Sequence, residues 1–253
     1  MTGDYDTVVD PLFLSPRCSH ICLTDGQKFA SEKWTVKPLP QQNLGRERLS
    51  RHPKVLPHRY FPDFDVSIYI DANMTITGDL ADLASSVLDS KHDLALFHHP
   101  LRNCVYDEAK ACLKDGRERF SVLHRQMDHY RAVGYPARNG LVAGGIVIRR
   151  HNNPEVVRLM EAWWEDIVRF SHRDQLSFNF AVWKHKLPYA IIEEDIFSNP
   201  YVSLRPHRST GIRKCWQWLN RYGKGNFVLT VPLFAGNLIL KGARALLGQH
   251  RDP

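Results

Sequence analysis

Val66-Ser67-Ile68-Tyr69-Ile70-Asp71-Ala72-Asn73 alternates strictly for six residues and then turns polar. Val66, Ile68 and Ile70 share one side while Ser67, Tyr69 and Asp71 share the other, which is the two-residue period of a strand. At the carboxyl end of a buried strand, Asp71 and Asn73 point the same way, into the crevice where α/β sheets bind ligands. A carboxylate and an amide oxygen there suit a hard cation that bridges a diphosphate. A plain polar exit from strand to turn has the same composition, so spacing alone leaves both readings open.

Working outward, helices alternate with further strands. Asp79 caps a helix whose apolar residues Leu80, Leu83, Ala84, Val87 and Leu88 repeat at helical spacing. Asp93 to His98 reads as a strand, Asn103 to Gly134 as two helices joined near Gly116, and Gly145 to Arg149 as a strand behind a glycine pair. Asn153-Pro154-Glu155 starts a helix with the stripe Val156, Leu159, Met160, Trp163 and Ile167. A helix from about Asp174 to Lys184 and a strand near Tyr189 to Ile192 follow. Upstream, Ser19 to Thr24 and Trp34 to Lys37 are short strands, and Asn43 to Tyr60 is partly helical, broken by Pro53 and Pro57. The alternation predicts an α/β fold around a mostly parallel central sheet flanked by helices, in one domain without repeats.

The 253 residues carry 34 Lys+Arg against 27 Asp+Glu, a net charge of +7, and the excess is localised. From Ile196 to Arg251 there are nine Lys/Arg and no Asp or Glu, so the remainder is close to neutral. Such a block favours phosphate, an anionic membrane face or an acidic polymer. The absence of a basic, aromatic-laced stripe elsewhere argues against nucleic acid. Five cysteines in no C-x-x-C pair read as reduced thiols of a cytoplasmic protein, although spacing leaves a Cys104–Cys112 bridge open. Met1 to Asp10 holds three Asp and no apolar run, which predicts no signal peptide. The longest uncharged run, Gly225 to Leu240, is 16 residues broken by Pro232, Gly236 and Asn237, shorter than the ~20 needed to span a bilayer.

Two further groups bear on chemistry. Asp174-Gln175 opens a helix, with Asn179 one turn along; Asp174 is either a simple N-cap or a group aimed at substrate hydroxyls. His207 to Trp216 holds His207, Gly211 and Lys214, suited to a metal ligand, a close backbone approach and a phosphate contact, or else a solvated basic loop. His98-His99 and Cys18/Cys22 lack a complete ligand set. H-E-x-x-H, G-x-S-x-G and P-loop motifs are absent, which argues against zincins, α/β-hydrolases and P-loop kinases.

The runs Thr2-Gly3-Asp4-Tyr5-Asp6, Ile21-Cys22-Leu23-Thr24-Asp25, Pro53-Lys54-Val55-Leu56-Pro57-His58-Arg59, Tyr69 to Asn73, Arg149-Arg150-His151-Asn152 and Arg173-Asp174-Gln175-Leu176-Ser177-Phe178 together carry a resemblance across residues 2 to 215. The chain resembles the glycosyltransferase-like family of bacterial proteins and plant Golgi proteins implicated in pectin and mucilage synthesis. More distantly, it is similar to glycogenin- and galactinol-synthase-type transferases of GT-A fold. The resemblance implies a GT-A-like domain over 1–225 lacking its first strand, with an amphipathic tail over 226–253. It also implies a metal-assisted, retaining transfer from a nucleotide-sugar, a UDP-sugar, to a glycan acceptor. By the same resemblance, Asp71, Asn73 and His207 hold Mn²⁺ or Mg²⁺, and Asp174 and Gln175 are catalytic. Thr2, Tyr5, Asp25, Lys54, His58, Asp71, Gly211 and Lys214 take the donor, and Asn139, Gly144, Gly145 and Asn179 take the sugar or acceptor.

Three departures from the family pattern are visible. Asn73 stands where the metal motif has an acid; the His207 motif has one extra residue before Gly211 and Cys215 in place of a proline; and Met1 directly precedes Thr2 where relatives have an apolar first strand. Two other readings remain open. One is a lipid-amide hydrolase of ceramidase type, for which Phe227 to Leu247 is the one apolar stretch on offer. The other is a non-catalytic nucleotide-sugar or glycan-binding protein, which Asn73 favours. The basic C-terminus, with Lys241 and Arg244 on that apolar stretch, is expected to touch an anionic membrane peripherally, at its inner face.

Overall fold

Strands and helices alternate through residues 8–26, 31–40, 42–89 and 91–205, the residues described in the computed structural model. All belong to the first of two units of the chain, Met1–Arg208. Thr2, Tyr5, His207, Gly211, Lys214 and the tail expected from residue 226 lie outside the described residues.

In chain order, β1 (Ile21–Thr24) and β2 (Thr35–Pro38) lead to α1 (Arg46–Val55) and a 3₁₀ turn at Pro57–Arg59. There follow β3 (Ser67–Ile70), β4 (Met74–Ile76), α2 (Leu80–Val87), β5 (Leu94–His98), α3 (Val105–Lys114), α4 (Phe120–Ala132) and β6 (Val142–Arg149). Then come α5 (Pro154–Arg169), a 3₁₀ turn at Asp174–Leu176, α6 (Phe178–His185), β7 (Ala190–Ile192) and β8 (Val202–Leu204).

The central sheet has the order β3-β6-β5-β7. β6 runs antiparallel to both neighbours and β7 parallel to β5, so three of the four strands share one direction and β6 opposes them. The strand period divides the core. Ala95, Phe97, Ile146 and Ile148 lie on one face with Leu80, Leu83 and Ala84 of α2. Leu94, Leu96 and Val147 lie on the other with Val55 of α1, Val156, Leu159, Met160, Trp163 and Ile167 of α5, and Phe178 of α6. The result is helix, sheet, helix, each helix burying the apolar stripe its sequence displays. A third cluster joins α3 and α4 to the Asp174–Leu176 turn and α6, with Tyr130 and Phe180 stacked at 3.9 Å.

Several local expectations hold and others shift. Asp79 caps α2, accepting from Ala81 N at 2.8 Å and Asp82 N at 3.3 Å. Pro53 does not break its helix. It lies in the last turn of α1, which takes the loss of one N–H from its ladder and ends two residues later. Asp174 is not a cap: it is the first residue of its 3₁₀ turn, whose cap position is Arg173, and the cap position of α6 is Ser177. Cys104 and Cys112 are both free thiols. β4 and β8 pair antiparallel in a small separate sheet, and three-residue strands carry too little pattern to be seen in advance.

Two of the runs that carry the resemblance serve in packing. Arg150 reaches Asp93 at 2.7 Å, His151 Nε2 donates to the Phe61 carbonyl at 2.8 Å, and Asn152 Nδ2 donates to the carbonyls of Pro62 at 2.8 Å and Phe64 at 3.0 Å. Arg59 pairs with Glu161 of α5 at 2.6 Å. Arg48 donates to the carbonyls of Ile167 at 3.0 Å and Phe170 at 2.9 Å, closing the end of α5. α1 and the loop after it are thereby bound to α5 and to the end of β6, which fixes Lys54.

Candidate active site

The site is built on an irregularity of β6. Leu96 pairs with Val147, but the next residue, Phe97, pairs with Ala143, so Gly144-Gly145-Ile146 slips out of register with β5. The β3 side stays paired through Ile70 and Ile146, and Asp71 N donates to the Gly145 carbonyl at 2.9 Å. Bulges of this kind redirect side chains and backbone at active sites. A Cβ on Gly144 would stand 3.1 Å from Lys54 Nζ and 3.3 Å from Asp174 Oδ2. A Cβ on Gly145 would meet Met74 Cε at 2.5 Å and Asp71 Oδ2 at 3.5 Å. The glycine pair is what lets charged groups from α1, β3 and the Asp174 turn converge on the sheet.

Lys54 stands at the centre. Its ammonium is paired with Asp174 and lies 3.9 Å from Asp71 Oδ1 and 4.8 Å from the centroid of the Tyr69 ring. The Lys54 and Asp174 side chains are each only 6% exposed, whereas that of Asp71 is 39% exposed. The Tyr69 hydroxyl donates to Asp71 Oδ1 at 2.8 Å. Trp163 Nε1 donates to the Asp174 carbonyl at 3.0 Å, anchoring the turn from α5. The order is therefore Asp174, Lys54, Asp71, Tyr69, buried at one end and open at Asp71.

Burial by itself would push the Asp174 carboxyl up. The ammonium of Lys54, supported by Arg51 and Arg173, outweighs that and holds it well below the usual carboxylate range. Burial, with Asp71 next in weight, drives the Tyr69 hydroxyl well above its ordinary value, so it remains a donor. A carboxylate that stays ionised out of solvent can stabilise positive charge that develops beside it. One accessible carboxylate, Asp71, remains for a cation.

The other expected residues fall into distinct places. Gln175 borders the cluster, its Cγ 3.7 Å from a Gly144 Cβ, and its amide donates to the Val142 carbonyl at 3.4 Å. Asn179 is buried. It accepts from Val142 N at 3.1 Å and donates to the Tyr189 hydroxyl at 3.0 Å, so it holds the entry to the bulge. His58 Nε2 lies 2.9 Å from Glu161 Oε1 and belongs to the packing of the loop on α5. Asp25 sits in the exposed turn after β1 and Asn139 in the exposed loop before β6.

Asp71 and Asn73 do not continue a strand. Met74 N donates to the Asp71 carbonyl at 2.9 Å, so the segment turns after Asp71, and strand alternation does not carry on to Asn73. Asn73 is buried, with its amide donating to the Arg205 carbonyl at 3.1 Å. Among the described residues, no group of three His, Cys, Asp or Glu could hold a metal ion. Sequence reasoning did not assign Tyr69 a role, although it shares the polar side of its strand with Asp71, and that shared parity is the signal.

The fold and site define an α/β protein with a charged cluster at the carboxyl end of β3. Residues 34–201 match the family described as TOD1/MUCI70, glycosyltransferase-like domain, and the chain belongs to that family. It is 28% identical over 142 residues to the "Probable hexosyltransferase MUCI70" of Arabidopsis thaliana, a match covering 52% of this chain and 24% of that protein. The chain thus spans about a quarter of that relative's length. It is also similar to mouse xyloside xylosyltransferase 1 in its apo form, at 11% identity and a TM-score of 0.35, over 58% of this chain and 51% of the other.

Proposed function

We propose that the chain is a retaining glycosyltransferase of GT-A type, which moves a sugar from a nucleotide-sugar, a UDP-sugar, to a glycan acceptor. Membership in a glycosyltransferase-like family and similarity to a probable hexosyltransferase support the class. The observation that carries the reading is the buried, ionised Asp174 held by Lys54 beside Gly144.

Breaking the bond between the anomeric carbon and the diphosphate leaves positive charge on the sugar and negative charge on the leaving group. Asp174, kept ionised without solvent, stabilises the first of these. Lys54 fixes Asp174 and Asp71 at a constant separation, so the charges need no rearrangement during reaction. Asp71 fits a divalent ion, Mn²⁺ or Mg²⁺, because its carboxylate is the accessible one and such ions complete their shell with phosphate oxygens rather than many protein ligands. Such an ion would offset charge on the departing diphosphate. His207 and Lys214 would add to the diphosphate side, with Asn73 supporting the turn that carries Asp71. The acid-free C-terminal stretch would contact an anionic membrane or an acidic glycan.

Titration calorimetry with UDP and Mn²⁺, together with UDP release from a panel of UDP-sugars, tests this reading. Micromolar UDP binding that strengthens with Mn²⁺, and slow UDP release, are expected. A folded full-length protein that binds no UDP overturns it. Binding without turnover for any acceptor makes the chain a binding protein, and fatty-acid release from ceramide makes it a hydrolase.

A further inference from the structure

Arg149 ends β6 and is wholly buried, at 0% exposure. It donates to the Lys54 carbonyl, to Ser67 Oγ at 3.3 Å and to Met160 Sδ at 3.4 Å, and among the described residues none of these partners is a carboxylate. A guanidinium so placed gives up its hydration without a countercharge, where an apolar side chain would fill the space at less expense. Burial brings its pKa down to about 9, with Tyr69 acting the other way.

What the guanidinium supplies is an anchor for one particular carbonyl. Lys54 lies in the last turn of α1, where carbonyls lack partners within the helix and where a cation is favoured by the helix dipole. The same Lys54 sends its ammonium to Asp174 and Asp71. Its backbone is thus tied to the strand that also presents Gly144 and Gly145.

We infer that Arg149 is a positioning residue for Lys54, setting where the Lys54 ammonium stands relative to Asp174 and Asp71 by holding the Lys54 carbonyl against β6. The inference rests on the transferase reading for its effect on turnover, but the placement of Lys54 can be measured without it.

The test uses full-length Arg149→Met and Arg149→Lys. Each is compared with the unsubstituted chain by calorimetric melting, by acetic-anhydride labelling of lysines read by peptide mass spectrometry, and by steady-state UDP release. In Arg149→Met, labelling of Lys54 should rise about tenfold while exposed lysines such as Lys110, 77% exposed, label as before. The kcat should fall about 10–100-fold with the donor KM changed less than about threefold, as expected for lost orientation rather than lost binding. Arg149→Lys keeps the charge but cannot hold the carbonyl and Ser67 together, so it should shift both readouts in the same direction by less. Should Arg149→Met fail to fold, Arg149→Lys alone decides. Unchanged Lys54 labelling in a folded variant, or a loss of kcat that only follows the loss of folded protein, overturns the inference. Absence of UDP-sugar turnover by the unsubstituted chain overturns the transferase reading instead, and the labelling result still judges Arg149.

Discussion

Lys54 and Asp174 form a pair whose members depend on each other because both are out of solvent. Removing the ammonium in Lys54→Met strands a buried carboxylate, which should lower stability by about 3–5 kcal/mol in urea unfolding. The double variant Lys54→Met/Asp174→Asn should regain a good part of that loss, since it leaves no uncompensated charge. Asp174→Asn alone should reduce UDP-sugar turnover about 100-fold or more if the carboxylate stabilises the transferring sugar. Because the folded Asp174 carboxyl titrates below its ordinary 3.8, its contribution is present above that pH and lost as pH falls through the folded value. The double variant should lack this acid-side slope. Gly144→Ala tests the geometry more gently. Its methyl would press on Lys54 Nζ and Asp174 Oδ2, both within 3.3 Å, so activity should drop about tenfold or more while melting changes little. Asp71, Asp174 and Lys54 were each legible in the sequence, as residues matched to a family pattern. That one ammonium bridges both carboxylates was not, because 120 residues of chain separate Lys54 from Asp174.

The elements fared differently according to length. α2 and α5, with their caps and apolar stripes, were legible nearly to the residue, because helical periodicity repeats over several turns. The pairing of β4 with β8 was not, and it decides how the polypeptide leaves the site, since Arg205 N donates to the Asn73 carbonyl at 2.8 Å. Gly78, between β4 and α2, shows how tightly these pieces meet: a Cβ there would lie 2.6 Å from the Pro200 carbonyl oxygen. That neighbour is backbone and cannot swing aside. Gly78→Ala should therefore cost about 1–3 kcal/mol by denaturant melt, with little effect on turnover in the protein that remains folded.

For the molecule as a whole, buried and half-buried histidines weigh on stability in acid. His20, His52, His99, His129, His151, His172 and His185 are all held below their usual value, burial being the leading cause in each. The unfolded chain then binds protons near 6.5 that the folded chain refuses, so stability is lost as pH falls below that value. Urea unfolding at pH 7.5 and pH 5 should differ by about 1–3 kcal/mol, with the lower stability at pH 5. Asp166, pushed up to about 6 by burial, takes up a proton in the folded state and works against this trend, so Asp166→Asn should steepen the fall. At the same level, the nine Lys/Arg without an acid between Ile196 and Arg251 predict salt-sensitive sedimentation with anionic vesicles. Deletion from Asn226, which removes three of the nine together with the apolar stretch Phe227 to Leu247, should weaken it.

Periodicity, capping residues and charge blocks were enough to read an α/β chain with an acidic motif after a strand and a basic C-terminal stretch, because these are local properties of neighbouring residues. The slip of Gly144-Gly145 out of register, the turn that replaces strand geometry after Asp71, and the binding of α1 to β6 through Arg149 arise only when distant segments pack. Each depends on what occupies the space beside a residue rather than on what precedes it in the chain. The charged cluster exists because packing removes water from Lys54 and Asp174 together, which neither residue's neighbours in sequence could have announced.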